Sequence, residues 1–400
     1  MFAPQPEKHY FSPGLLTRFD IDIAEIPPPY QPTQEQSKTK ISFHPDTDTF
    51  FARRARTVLT GGLQKSVPDR WPAVLDGRMV WKGSDFNDES DFVYHMSGKE
   101  QNPIRKRLYR NTFPFQRLRL VLQLRYSPED IATVFLGVSS YIARKRGIQD
   151  QYGTMINHLL DYGSADSQAE LVSMPMSPCV LHADPAIQPL HTDITCDIVA
   201  TLTRKCSIQG GMATIASSWA VYNMLAASRP DLIHVLAKPD WPFDTFGRQP
   251  PYYNRAILYC TDAKPILNFS RRVLTGHPYN PRSPEIPPLS EAQADALDTV
   301  HYIAKEQQME LTTMKGDMRF INNIGLLHGR EAFFDDNHER SARHLLRLWL
   351  QNDRKMWDLP PALKLAWARV FDDDERESRW DMEPVMISPT NPRPPPAPCD

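Results

Sequence analysis

The chain has 400 residues, 41% of them hydrophobic and 24% charged, with 46 Lys and Arg set against 48 Asp and Glu. A formal charge of −2 argues against recognition of nucleic acid through a broad basic face, and the composition is that of an ordinary globular protein. Five cysteines, at positions 179, 196, 206, 260 and 399, show no Cys-x-x-Cys spacing and read as reduced thiols, not as a disulfide framework.

The first residues, "MFAPQPEKHYFSPGLL", lack a basic stretch followed by an apolar core, and no apolar run approaches the roughly 20 residues that span a bilayer. A cytoplasmic protein without membrane contact is expected. Residues 1–70 are polar, punctuated by proline and weakly periodic, and the segment 1–110, partly irregular, is expected to wrap a core and not to build one. Alternating apolar and basic residues in "PFQRLRLVLQLRY" (114–126) predict a strand with one exposed face. Ser127-Pro-Glu-Asp130 supplies a cap, a first-turn proline and two acids, which predicts a helix from Ser127 to about Gly147.

Gly210-Gly211 marks a turn, followed by a short strand and a helix capped by Ser217 or Ser218 that stops before Pro230. Two β-rich runs flank Thr261-Asp-Ala-Lys264, a hairpin signal. "LSEAQADALDTVHYIAKEQQMEL", with Ser290 as cap, is the clearest helix. One strand is expected to start at the Lys315-Gly-Asp317 turn and to end at His328, and another in "SARHLLRLWLQND" beyond the polar "DDNHERS" loop. These elements predict a β domain with helical insertions over 111–358, preceded by the wrapping segment and followed by an extension over 359–400 with a Pro-rich tail.

Three His-x-Asp triplets stand out: His44-Pro-Asp46, His182-Ala-Asp184 and His191-Thr-Asp193. In a strand, residues i and i+2 share a face, so such a triplet sets an imidazole beside a carboxylate. With a second His from another strand, that is a facial triad for Fe(II). Pro45 blocks ladder pairing around the first triplet and Pro185 follows the second. Only the third leads into a β-branched run, "IVATL". The second His is expected at His328, whose other reading is a half-buried imidazole satisfied by a backbone carbonyl. Arg343, Leu345 and Arg347 share one face of the next strand. A guanidinium on the inward face of an apolar strand calls for an anion, and its fork suits a carboxylate. The alternative is a pair of surface arginines on an edge strand.

The ordered set "LHTD", "GG-x-x-T", "ASSWAVYN", "NFSRR", "GD-x-x-F-x-NN-x-x-x-LHGR-x-AF" and "RHLLRLWL", over residues 127–352, resembles the taurine dioxygenase (TauD/TfdA) family of Fe(II)- and 2-oxoglutarate-dependent oxygenases. The resemblance is greatest to a fungal branch. It implies a mainly β fold with flanking helices, built on a double-stranded β-helix, the jelly roll. It implies His191, Asp193 and His328 as iron ligands and Arg343 on the distal carboxylate of 2-oxoglutarate, with O2 as co-substrate. Arg347 matches a position that meets a substrate anion. A Thr that contacts the co-substrate in the family aligns here with Ala213. Either a one-residue shift restores the contact through Thr214, or the hydrogen bond is missing.

For substrate contacts, Gln188 offers an amide just ahead of the first ligand. Phe269 reads equally as a pocket wall or as core, and the Pro- and aromatic-rich loop at 239–255 as a lid or as packed surface. The implied activity is hydroxylation, with desaturation or ring closure as variants, of a small carboxylate-bearing amino acid or specialised metabolite. Asp193 occupies the place a halogenase leaves for chloride, which disfavours halogenation. The competing classes are a non-catalytic ligand-binding barrel, which Ala213 allows, and a cupin-like metal isomerase or hydrolase, which would not need Arg343. Oligomeric state is left open.

Overall fold

The computed structural model describes residues 41–60, 63–86, 88, 93–96, 115–120, 127–150, 153–160, 187–246, 250–278, 281–334 and 343–384. The His182-Ala-Asp184 triplet, residues 1–40, the "DDNHERS" loop and the Pro-rich tail from 385 lie outside them. Helix α1 (Thr47–Thr60) begins directly after Asp46, whose Oδ1 accepts the Thr49 N–H at 2.7 Å, so the first His-x-Asp triplet is a helix start. Strands β1 (Val93–Met96) and β2 (Phe115–Leu120) pair in parallel. Helix α2 (Pro128–Ile142) carries the expected capping box between Ser127 and Asp130. It stops five residues short of Gly147, because Lys145–Gly147 leaves the helix to become strand β3 on a sheet edge.

Strands β4 (Asn157–Leu160), β5 (Gln188–His191), β6 (Ile198–Lys205), β7 (Gln209–Gly210) and β8 (Ala213–Ser217) follow. Ser217 caps α3 (Ser218–Ser228) by accepting the Ala220 N–H at 3.0 Å, and Pro230 opens α4 (Pro230–Ala237). After β9 (Trp241–Asp244) and β10 (Tyr252–Arg255), the expected hairpin forms from β11 (Leu258–Thr261) and β12 (Lys264–Leu267). Its two turn residues, Asp262 and Ala263, both have positive φ, as a tight two-residue hairpin requires. A short helix α5 (Arg272–Thr275) leads to α6 (Glu291–Gln307), where Ser290 and Gln293 cap each other. The chain then forms β13 (Met309–Leu311), β14 (Asp317–Asn322), β15 (Leu326–Arg330), β16 (Phe333–Phe334), β17 (His344–Gln351) and α7 (Pro361–Phe371). The single strand expected from Asp317 to His328 is therefore two strands, broken at Asn323–Gly325.

That break separates two sheets. The larger runs β1-β2-β14-β6-β17-β3, with β4 also on β17; the smaller runs β13-β8-β15-β5. The larger sheet turns Ala200, Leu202, Met318, Phe320, Leu346, Leu348 and Leu350 outward onto Ala132, Phe135 and Val138 of α2. The smaller turns Leu190, Ala216 and Leu327 outward onto α3, α4 and α6. Between the sheets lie Ile215, Met309, Leu311 and Leu326 with Ile321. Two sheets facing across one interior, with helices outside, are the double-stranded β-helix. Each fully buried Leu or Ile contributes about 1.5–3 kcal/mol, so the three apolar layers set the spacing of the sheets. No described helix is long and apolar enough to cross a membrane.

The edge of the larger sheet is closed by a histidine pair. His158 Nδ1 lies 3.0 Å from His344 Nε2, and His158 Nε2 lies 2.9 Å from the Asp381 carbonyl. Burial, then Arg204, push His344 down to about 3. The unfolded chain thus takes up a proton near pH 6.5 that the folded chain refuses until about pH 3. Stability is complete above pH 6.5 and declines as pH falls through that window, by about 1 kcal/mol per pH unit from this residue. Replacing His344→Gln should flatten that decline in urea unfolding between pH 7 and 4.5; parallel curves for the two proteins would refute the assignment.

Candidate metal centre

The smaller sheet brings two histidines face to face. His191 ends β5 and His328 lies on β15, and the two are direct cross-strand partners with ring centroids 4.4 Å apart. Asp193 is not on the strand as expected but in the turn after it. Thr192 leaves the ladder, donating its N–H to the Phe269 carbonyl at 2.7 Å, and the chain bends. The bend still delivers the carboxylate: Asp193 Oδ1 lies 3.8 Å from His191 Nε2 and 3.6 Å from His328 Nε2. One ligand atom from each of the three residues falls within 4.8 Å of the others, the one such cluster among the described residues.

The second oxygen of Asp193 faces the larger sheet. Oδ2 accepts Trp349 Nε1–H at 2.6 Å and Arg347 Nη1–H at 3.2 Å, both from β17. Burial pulls the carboxyl up, but Arg347, and then the two imidazoles, overcome it and hold Asp193 well below the usual carboxylate range. His191 Nδ1 lies 2.9 Å from the Pro189 carbonyl, an acceptor only, so Nδ1 carries the proton and Nε2 keeps its lone pair. Burial, then His328, push His191 down to about 3 and keep it neutral at physiological pH.

These residues fit a divalent cation. Two imidazoles and one ionised carboxylate converge, and the one carboxylate oxygen facing the imidazoles is the one that Trp349 and Arg347 leave to the centre. Two nitrogens and one oxygen on one side suit Fe(II) with open positions.

The other residues singled out in the sequence fall into place as follows. Gln188 shares the site: a bulge between β5 and β15 sets its amide nitrogen 3.4 Å from His191 Nε2. Arg347 is turned onto Asp193, and its Nε donates to Gln149 Oε1 at 2.9 Å. Phe269 is fully buried among Leu190, Trp241 and Phe243, on the helix side of the smaller sheet. The shift that would bring Thr214 into the site does not occur. Pairing of β8 with β15 is regular, so Ala213 lies on the face of His328 and Thr214 on the opposite face. There Thr214 packs against Gly329, where an added Cβ would come within 2.8 Å of its hydroxyl oxygen. Arg343 stands at the mouth, its guanidinium 5.3 Å from the Phe333 ring and its Nε beside Gly211 of the Gly-Gly turn.

Four supporting residues had no role in the sequence reading. Asn323 accepts the Asp193 N–H at 2.8 Å and donates to the carbonyls of Asp193 and Cys196 at 2.8 and 2.7 Å. Asn268 donates to the Ile194 carbonyl at 2.8 Å. Together they clamp the turn that carries Asp193. Gln149 and Trp349 complete the set from the larger sheet. The inner face of that sheet also aligns Arg347, Thr201 and Arg319 in one row across β17, β6 and β14. The Thr201 hydroxyl between the two arginines is buried and makes no hydrogen bond among the described residues.

A sequence profile described as "Taurine catabolism dioxygenase TauD, TfdA family" matches residues 89–349. A taurine hydroxylase-like protein of Stachybotrys chartarum, SAT17, is 30% identical over 367 residues, covering 83% of this chain and 94% of that protein. FR-33289 synthase of Streptomyces rubellomurinus is 26% identical over 316 residues, 69% of this chain and 90% of that one. Among solved structures, an asparagine oxygenase bound to Fe(II), 3-hydroxyasparagine and succinate superposes with a TM-score of 0.47 at 15% identity, over 62% of this chain and 79% of that one.

Replacing Trp349→Phe keeps the ring and removes the N–H from Asp193 Oδ2. Fe(II) or Co(II) affinity, measured anaerobically against a competing chelator, should fall about 10- to 100-fold with little change in unfolding midpoint. Wild-type affinity in this variant would show that the indole does not orient the ligand.

Proposed function

This chain belongs to the TauD/TfdA family and is a 2-oxoglutarate-dependent dioxygenase, and from that premise we propose that it hydroxylates a small anionic metabolite at a centre held by His191, Asp193 and His328. The convergence of those three side chains on one point carries the reading. When bound there, Fe(II) with 2-oxoglutarate and O2 supplies the oxidising chemistry, releasing succinate and CO2 as a substrate C–H bond is oxidised.

The chain's own contribution is placement. Trp349 and Arg347 occupy Asp193 Oδ2, so the carboxylate offers a single oxygen to the metal and leaves neighbouring positions open. Pro189 sets the His191 tautomer. Arg343 provides a guanidinium for the far carboxylate of 2-oxoglutarate, which orients the chelating end. Desaturation or ring closure requires the same placement and differs only in the fate of the substrate radical.

The anionic character of the substrate is supported by the row Arg347–Thr201–Arg319. Arg347 is engaged with Asp193 and Gln149, and the buried Thr201 hydroxyl beside it, with Arg319 across the row, is where a carboxylate or sulfonate would be met. The name of the fungal relative, taurine hydroxylase-like, points to the same class.

Fe(II) and 2-oxoglutarate added without oxygen should give a visible charge-transfer band that His191→Ala abolishes. No band in the wild type, or an unchanged one in that variant, would defeat the assignment. Succinate release on admitting air should be stimulated by amino carboxylates or sulfonates and not by the matching neutral amines. Against a stimulating compound, Arg319→Ala should raise KM about tenfold or more, with a smaller effect on kcat; an unmoved KM would remove Arg319 from the substrate site.

A further inference from the structure

A buried arginine from the Pro- and aromatic-rich run at 239–255 reaches the turn that carries Asp193 through one intermediary, Asn268. Strands β9 and β10 pair antiparallel, with Tyr253 opposite Phe243 and Arg255 opposite Trp241. Residues 253 and 255 share a face of β10. The Arg255 guanidinium lies 4.2 Å from the Phe243 ring centroid and 5.9 Å from that of Tyr253, and the two rings stack on each other at 5.7 Å. Arg255 is 6% exposed, and its Nη2 donates to Asn268 Oδ1. Its Nε makes no hydrogen bond among the described residues, so the charge rests on one amide oxygen and two ring faces. An apolar side chain of similar volume would avoid the cost of burying that charge. What the arginine supplies in return is the bond to Asn268.

Asn268 and Phe269 hold both flanks of Asp193. The Phe269 carbonyl accepts Thr192 N–H at 2.7 Å, and Phe269 N–H donates to Thr192 Oγ1 at 2.9 Å. On the other flank, Asn268 Nδ2 donates to the Ile194 carbonyl at 2.8 Å. The Asn268 N–H is itself tied to the Ile257 carbonyl at 2.8 Å, so the backbone is fixed and the side-chain amide alone needs orienting. An amide has a donor end and an acceptor end of nearly the same shape. A guanidinium has donors only, so Oδ1 faces Arg255 and Nδ2 is turned to Ile194. A charged donor on the oxygen also polarises the amide and strengthens the bond its N–H makes. Resting on the assignment of His191, Asp193 and His328 to the metal, we propose that Arg255 is a positioning residue of that centre. It fixes the Asn268 amide and, through it, the backbone that carries Asp193. The ring stack of β9 and β10 then acts on the metal ligand through two hydrogen bonds in series.

The test titrates the full-length metal-free protein with Co(II) against a competing chelator and records the urea midpoint of each variant. Arg255→Met keeps an unbranched stem against Phe243 and removes every donor; it should lower Co(II) affinity about fivefold or more. Arg255→Gln, which keeps a neutral donor, should fall between wild type and Arg255→Met and serves as the measure if the methionine variant does not fold. Asn268→Leu should weaken binding as well. Adding Arg255→Met to it should weaken binding no further, because both changes act through the same amide. A lowered urea midpoint with wild-type Co(II) affinity in the folded Arg255 variants would make the arginine a packing residue and overturn the proposal. Losses that add in the double variant would overturn it too. A wild-type protein that binds no Co(II) would remove the metal centre itself, and this positioning role with it.

Discussion

The site depends on one buried carboxylate whose two oxygens face different sheets. Asp193 Oδ1 looks toward His191 and His328 on the smaller sheet, while Oδ2 is held by Trp349 and Arg347 of the larger. The residue is therefore a tie across the barrel as well as the carboxylate of the His-Asp-His cluster. An ionised carboxyl at 7% exposure survives only because a guanidinium and an indole N–H replace the water it has lost. Those donors occupy Oδ2 alone, and burial keeps His191 uncharged. What remains is Oδ1 aimed at a point between two ring nitrogens, an arrangement that a cation completes.

The remainder of the fold can be read as support for that tie. The outer layers, α2 on one side and α3, α4 and α6 on the other, press the two sheets to the spacing at which β17 reaches Asp193. Asn323, in the break between β14 and β15, is bonded to both ends of the ligand turn, so the residue at which the chain changes sheets also fixes the metal loop. Gln149 buttresses the far side of Arg347, through its Oε1 to the guanidinium and its Nε2 to the Arg347 carbonyl at 3.0 Å. Each of these contacts joins residues more than 100 positions apart, which makes the centre a product of the closed barrel and not of any local motif.

That distance explains what could be read from the sequence and what could not. His191 and His328 were legible because each stands at a strand with a clear apolar pattern. Helix starts at Ser127, Ser217 and Ser290 were legible because capping is a local bond. The end of α2 was not, since sheet pairing at Lys145–Gly147 outweighs helix propensity. Asp193 was found with the right neighbours and the wrong backbone: the i, i+2 rule holds within a strand, and the strand ends at His191, two residues early, where Thr192 turns to Phe269. Trp349 lies in plain view in "RLWL", but only the register of β17 on β6 shows that its indole faces the interior. Asn323 and Asn268 stand in two of the quoted motifs, but their role gave no signal, because an amide that clamps a turn looks like any loop amide until the turn is present.

The same alternation settles the choice between Ala213 and Thr214. A shift of one residue in a strand moves a side chain to the other face, so neighbouring positions are not interchangeable however similar the sequence context. Regular pairing from Ala213 to Ser217 leaves no bulge to absorb such a shift, and the close approach of Gly329 to the Thr214 hydroxyl locks the register from the opposite face. The barrel interior therefore meets a methyl group at this point, and the residue paired with it across the ladder is Arg330. A hydroxyl can donate one hydrogen bond and carries no charge. A guanidinium donates several and brings a positive charge into a barrel that already holds Arg319, Arg343 and Arg347. Of these, Arg347 answers the Asp193 carboxylate across the barrel, so its charge belongs to the ligand turn and not to a guest.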